Sequence, residues 1–349
     1  MIFFIRLVTA ACFFTLLGKA NIWLNPVSNA ILAVGYRSFL VLSPGFSRLT
    51  KQFAIAAALL FSGIGVLLLL MHGKWSIILG AIILGVGVSV SGYLIRAVAA
   101  ETPKGAAHNK MVANIGSLIA GLILMLSFHS RALFFAIGAI IFMALSLLAA
   151  STTRKQKTIT LTAPKKFDFC KTVGWVLCGL GVGIKLFGVF SVLPQFLIAK
   201  IGYLPFWYGI MIFINSIAII LFQLPIIHFI GRFGHNNQAI KITLTIMFFG
   251  MLLIAFPKFF FVEWFFGALL WTILLSLVEC AASYLDVEGS KSGFLLIKET
   301  SIGLGGGLTV LASRCIPVVN SSMVIGSLGF VSILIAWVLL CKDVTCVEE

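Results

Sequence analysis

The sequence predicts an all-α integral membrane protein with twelve transmembrane helices in two pseudo-symmetric six-helix bundles. Three observations predict it. First, 61% of the 349 residues are apolar and only 10% are charged, against about 25% charged in a soluble domain. So few polar side chains cannot cover a core of that size, which excludes a soluble enzyme. Second, the apolar residues form continuous runs of membrane-crossing length, such as Ala54–Met71 and Leu133–Ala150. A helix satisfies its own backbone hydrogen bonds in lipid, whereas barrel strands would alternate apolar and polar residues. Third, the basic residues fall on alternate connections, sixteen on one set against seven on the other.

The expected helices cover 2–22, 28–47, 53–72, 76–98, 109–129, 132–151, 171–197, 205–230, 240–257, 262–284, 293–314 and 321–341. The first run carries Arg6. No soluble body follows it, so it reads as a span rather than a cleaved leader. The second carries Arg37. The fourth carries Gly80, Gly85, Gly87 and Gly92, which suit close helix packing. The fifth carries Asn114. The stretch Ser151–Asp168 is the longest polar one and strongly basic, and reads as a cytoplasmic linker. The expected organisation is a first bundle at 1–151, the linker at 152–170 and a second bundle at 171–349. The positive-inside rule places the linker side and both ends in the cytoplasm, and the few acids and short termini point to a cytoplasmic (inner) membrane. The net charge of +15 follows from that topology. The basic residues are spread over separate connections, so a nucleic-acid partner is not indicated.

In the second bundle, the stretch Leu193–Gly234 carries Pro194 at a helix end, Gly202 opening a loop and Gly209 starting the next helix. Gln223-Leu224-Pro225 then leads to the tight loop Gly231-Arg232-Phe233-Gly234. This stretch resembles the seventh and eighth helices of the major facilitator superfamily, in its efflux-type branch. Arg232 and Gly234 match the first Arg and later Gly of the family's cytoplasmic G-x-x-x-D-R-x-G-R signature. Gly231 stands where that signature has an acid, and His235 where it has a base. The first copy should fall at Pro44–Gln52, where Arg48 and Lys51 keep basic character. The resemblance implies a gating role for the loops of Arg48, Arg232 and Gly234. An internal correspondence accompanies it. The connection from Ala100 (AETPKGAAHNKMVANIGSLIAGLI) and that from Leu285 (LDVEGSKSGFLLIKETSIGLGGGL) share acid, small and basic residues before a Gly-rich helix start. Repeats of this kind place the solute site of a secondary transporter at the midplane between halves.

Ionisable groups at membrane depth carry a penalty of roughly 2.5–3.5 kcal/mol each on insertion scales, which marks them as functional candidates. Lys185, midway along the seventh helix, reads as a cavity cation or as a structural partner of Glu279. Arg37 reads as a cavity cation or an interface anchor. Lys19 reads as an outer anchor, and Arg6 as a headgroup contact. Glu279 is the one carboxylate deep in an expected span. It is a proton-coupling candidate, or a structural partner for Lys298 or Arg232. Glu101 and Glu299 lie at helix ends and suit loop salt bridges. The amides Gln195, Asn215, Gln223 and Asn114 are candidate solute contacts or interhelical hydrogen bonds. Tyr36, Trp175 and Trp271 are candidate stacking surfaces, while Trp75, Trp207 and Trp264 fit an interfacial belt. Gly303–Gly307 lacks the Lys-Ser/Thr and preceding strand of a phosphate loop and reads as packing. The seven Cys and five His form no disulfide or metal framework, so no cofactor and no metal are expected.

These readings point to a secondary transporter working by alternating access. The cations Arg37, Lys185 and Lys19 outnumber Glu279, which favours a small polar, anionic solute. Export of an organic acid, siderophore or drug is the expected direction, with uptake of a nutrient anion as the alternative. Possible proton coupling, a monomeric state and the lipid bilayer complete the expected partners. A lipid-modifying enzyme would need His, Asp or Glu clustered at one interface, which is not found. A non-transporting scaffold or receptor is the remaining rival.

Overall fold

The computed structural model describes residues 1–39, 51–71, 73–99, 103–126, 130–151, 168–233 and 236–341. These are helical throughout, with no strand among them. In chain order the helices are α1 (Ile2–Trp23), α2 (Pro26–Gly35), α3 (Lys51–Leu70), α4 (Lys74–Ala99), α5 (Pro103–Met125) and α6 (Arg131–Ala150). Then come α7 (Phe169–Ile201), α8 (Trp207–Gly231), α9 (Asn236–Ala255), α10 (Phe265–Ala282), α11 (Leu295–Cys315) and α12 (Val318–Cys341). A short helix, Tyr284–Ser292, follows α10. Ten of the described helices are long and apolar enough to cross a bilayer, and two shorter apolar helices lie at Pro26–Gly35 and Met111–Met125. The chain is a multi-pass membrane protein.

The packing pattern repeats with a shift of six helices. The pairs α1–α5, α2–α4 and α3–α6 recur as α7–α11, α8–α10 and α9–α12. The most extensive contacts that join the first six helices to the last six also come as a symmetric pair, α2–α11 and α5–α8. Glycine makes both possible. A Cβ on Gly121 of α5 would stand 2.8 Å from Phe213 N and 3.0 Å from the Gly209 carbonyl of α8. A Cβ on Gly303 of α11 would collide with Ser38 Oγ and the Val34 carbonyl. Lipid tails are as apolar as leucine, so such close backbone approach, rather than a hydrophobic driving force, holds helices together. The packing reading of Gly303–Gly307 agrees with this, and so does that of Gly80, Gly85 and Gly87. Each of these glycines faces a neighbouring helix or its immediate continuation.

Two helices depart from the expected spans. Pro194 does not end α7. The helix widens into a π-turn at Gly188–Val192, passes through Pro194 and stops at Gly202, whose φ of 88° only glycine adopts freely. Proline has no N–H, so the carbonyl four residues earlier loses its donor. That carbonyl, on Phe190, accepts instead from Asn21 Nδ2 of α1 at 2.6 Å. Asn29 Nδ2 in turn donates to Asn21 Oδ1 at 3.1 Å, so the α7 distortion is fastened to α1 and α2. The second departure is α2, whose regular helix ends at Gly35. Tyr36–Phe39 form a tightened turn, so Arg37 lies beyond a helix end and not inside a straight span.

Candidate functional site

Lys185 ends the first segment of α7 and is 2% exposed. Its ammonium lies 2.5 Å from Glu279 Oε2 on α10. A carboxylate and an ammonium buried together form a neutral unit, which lowers the penalty that either alone would carry in lipid. Glu279 keeps 27% of its side-chain surface open, so the pair has one accessible face. Of the two readings for Lys185, the structure gives the pairing. Glu279 has neither of its other expected partners. Arg232 is exposed at the end of α8, and Lys298 is paired elsewhere.

Arg37 forms an ion pair with Glu299 of α11. Its guanidinium also lies over the Tyr36 ring, 4.8 Å from the centroid. Glu299 is 4% exposed. This corrects its placement in a loop salt bridge, since α11 begins four residues earlier and carries Glu299 inward against α2. Lys298, fully buried, pairs with Asp286 of the short helix and lies 3.7 Å from Glu299 Oε1. Four charges thus run from the α2 turn through α11 to the short helix. Ser38 Oγ donates to the Thr300 carbonyl at 2.7 Å on the same contact. At the far end of α11, Arg314 Nη1 donates to the Leu24 carbonyl at 2.6 Å. The α2–α11 seam is therefore closed along its length.

These pairs correct the expected excess of cavity cations. Arg37 and Lys185 each have a carboxylate partner, and the counting argument missed Glu299 because a residue near a helix start looks solvated in sequence. Arg6 is 6% exposed and lies with Tyr36 and Arg37 around a hollow of about 20 Å³. Lys19 is 9% exposed, with its ammonium 5.5 Å from the Trp23 ring centroid. A larger groove of about 710 Å³, between α8, α9 and α10, carries no ionisable side chain and neither Lys185 nor Arg37.

The amides separate into distinct cases. Asn215 Oδ1 accepts from Ser276 Oγ at 2.8 Å, which ties α8 to α10. Gln195 Nε2 is buried with no hydrogen-bond partner among the described residues. Gln223 and Asn114 are half-buried. Trp271 is fully buried, with its indole N–H donating to the Leu253 carbonyl at 2.8 Å, and Trp175 stacks on Phe294. Trp75 and Trp264 are 79% and 71% exposed, while Trp207 is half-buried with its ring edge-on to Phe265. Arg48, Gly234 and Glu101 lie outside the described residues.

No protein-family profile matches the sequence, and no curated protein matches it by sequence. Solved structures do match. A proton dependent oligopeptide (POT) family transporter aligns with a TM-score of 0.71 at 13% identity, over 96% of this chain and 99% of the other. A peptide transporter POT in complex with alafosfalin aligns with a TM-score of 0.69 at 11% identity, over 97% and 92%. The nucleoside transporter NupG aligns with a TM-score of 0.65 at 16% identity, over 97% and 98%. At these identities the likeness is one of fold, and it runs essentially the whole length of both chains: the protein has the major facilitator fold.

Proposed function

We propose that the protein is a secondary transporter for a small polar solute, working by alternating access between its first six and last six helices. The observation that carries this reading is the symmetric pair of seams, α2–α11 and α5–α8, closed by backbone contact at glycines. Two such seams let one set of helices rock against the other. Ion pairs such as Arg37–Glu299 make and break as they do so. The full-length fold likeness to transporters supports it.

The Lys185–Glu279 pair supports proton coupling. A proton on Glu279 leaves the buried ammonium without a counter-ion, and a carboxylate or phosphate on the solute restores one. Solute anion and proton then load together. The unpartnered Gln195 amide, on the same helix, is a candidate second contact. Arg37 belongs in this scheme to the seam, as do Asn215 and the Arg232 loop to packing and gating. Loading proton and anion together favours uptake down an inward proton gradient over the export expected from the sequence resemblance.

The test is flux in proteoliposomes of defined orientation, with labelled organic acids, nucleosides and di- and tripeptides. An inward proton gradient should accelerate entry of at least one anionic solute. Lys185→Ala should reduce that flux at least about tenfold while the protein remains monodisperse. Flux independent of the gradient, or unchanged in Lys185→Ala, overturns the coupling scheme. No flux of any solute overturns the transporter reading.

A further inference from the structure

The hollow beside Arg6 has a composition that the transport scheme does not use. It is lined by Arg6 of α1, Tyr36 and Arg37 of the α2 turn, and Val88, Ser89, Gly92 and Tyr93 of α4. Its volume of about 20 Å³ holds one water or one monatomic ion. That is too small for a carboxylate-bearing metabolite. Two of its polar groups are unspent. Arg6 Nε and Ser89 Oγ are buried and have no hydrogen-bond partner among the described residues. Arg6 is 6% exposed and Ser89 2%. Gly92 keeps the space open, because a Cβ there would stand 3.1 Å from Arg6 Nη1.

Charge decides between the possible occupants. No carboxylate lines the hollow among the described residues; Arg6 hydrogen-bonds the Tyr36 hydroxyl and faces a second guanidinium, Arg37. Glu299 is committed to Arg37 and lies close to Lys298. A water would satisfy hydrogen bonds and leave the Arg6 charge buried without a counter-ion among the described residues, an arrangement that membrane interiors strongly disfavour. A small anion satisfies both. We propose that the hollow between α1, the α2 turn and α4 is a binding site for a monatomic anion of chloride size, with Arg6 as its counter-ion and Ser89 Oγ as a hydroxyl donor. The anion fastens α1 to α4 and to the turn that carries Arg37. The test of this site reads binding directly and needs no transported substrate.

The test is thermal unfolding of the purified full chain in detergent, in chloride, bromide and gluconate at equal ionic strength. Chloride and bromide should raise the midpoint over gluconate by roughly 2–4 °C. That difference should disappear in Arg6→Gln and shrink in Ser89→Ala. Bromide-soaked crystals should show an anomalous peak in the hollow. Equal midpoints in chloride and gluconate would mean that only water occupies the site, and the proposal falls. A halide shift of undiminished size in the variants places the anion elsewhere and also overturns it. If Arg6→Gln does not fold, the milder Ser89→Ala gives the reading alone.

Discussion

Arg37 and Glu299 lie 262 residues apart in sequence, yet they form one ion pair that joins the turn after α2 to α11. The pair stands on a seam between the first six helices and the last six. Around it, Ser38 donates to the Thr300 carbonyl and Gly303 admits Ser38 and Val34 at backbone distance. Any motion that parts the two sets of helices here must break this pair.

Removing one partner leaves the other as a buried, uncompensated charge, which costs roughly 3–5 kcal/mol. Arg37→Gln and Glu299→Gln should each shift the seam toward its open form by on the order of 100-fold. The measurement is labelling of a Ser38→Cys reporter by a membrane-impermeant maleimide. The charge-swapped double variant, Arg37→Glu with Glu299→Arg, should restore slow labelling. Fast labelling that persists in the swap would show that the pair does not hold the seam.

At Gly303 the constraint is steric. Gly303→Val should abolish the proposed transport while the chain still elutes as a monodisperse species, because α11 can no longer sit on α2. Gly138→Ala is the control, since a Cβ at Gly138 of α6 meets only Val66 Cγ1 at 3.5 Å and Leu16 Cδ2 at 3.9 Å, ordinary contact distances. Equal solute flux in both variants would remove the seam from the mechanism.

The Lys185–Glu279 pair is unequal in exposure, at 2% and 27%. Glu279→Gln strands a buried ammonium and should lower stability by roughly 3 kcal/mol or more. Lys185→Met leaves a carboxylate with an open face and should cost less. The double variant should be more stable than Glu279→Gln alone. Denaturation midpoints of the three proteins in one detergent check the order, and additivity would mean that the two side chains do not interact.

Asn215 and Ser276 offer a contrast. Their hydrogen bond ties α8 to α10 inside the second set of helices. Interhelical hydrogen bonds in membranes are worth about 0.6 kcal/mol on average. Asn215→Ala should therefore cost about that much stability and leave solute flux near wild type. A large loss of flux with unchanged stability would return Asn215 to the solute pathway.

Much of the architecture is legible in residue order. Continuous apolar runs, the basic stretch before Phe169 and the Gly-rich starts at α5 and α11 point to helices, their number and their two-fold likeness. Local surprises come from backbone chemistry that sequence shows only in part. Pro194 is visible, but its effect depends on whether another helix can serve the carbonyl it orphans, and Asn21 does so from 169 residues away. Asn21 was readable by the same criterion as Gln195, an amide in an apolar run, and was missed because it lies near a helix end. Glu299 was misplaced for a similar reason. Position along a helix indicates depth, but not which neighbour a long side chain meets.

Residue order therefore determined the solvent. A chain this apolar must lie in lipid, where only helices and closed barrels pair every peptide group, and its continuous apolar runs are those of helices. Only the tertiary structure decided which charges cancel. Arg37 and Lys185 count as cavity cations in the sequence and become halves of ion pairs in space. The physical reason is that ion pairing between helices depends on side chains a few ångströms apart, and that proximity arises from packing between segments that are separate in residue order, 94 residues apart for Lys185 and Glu279.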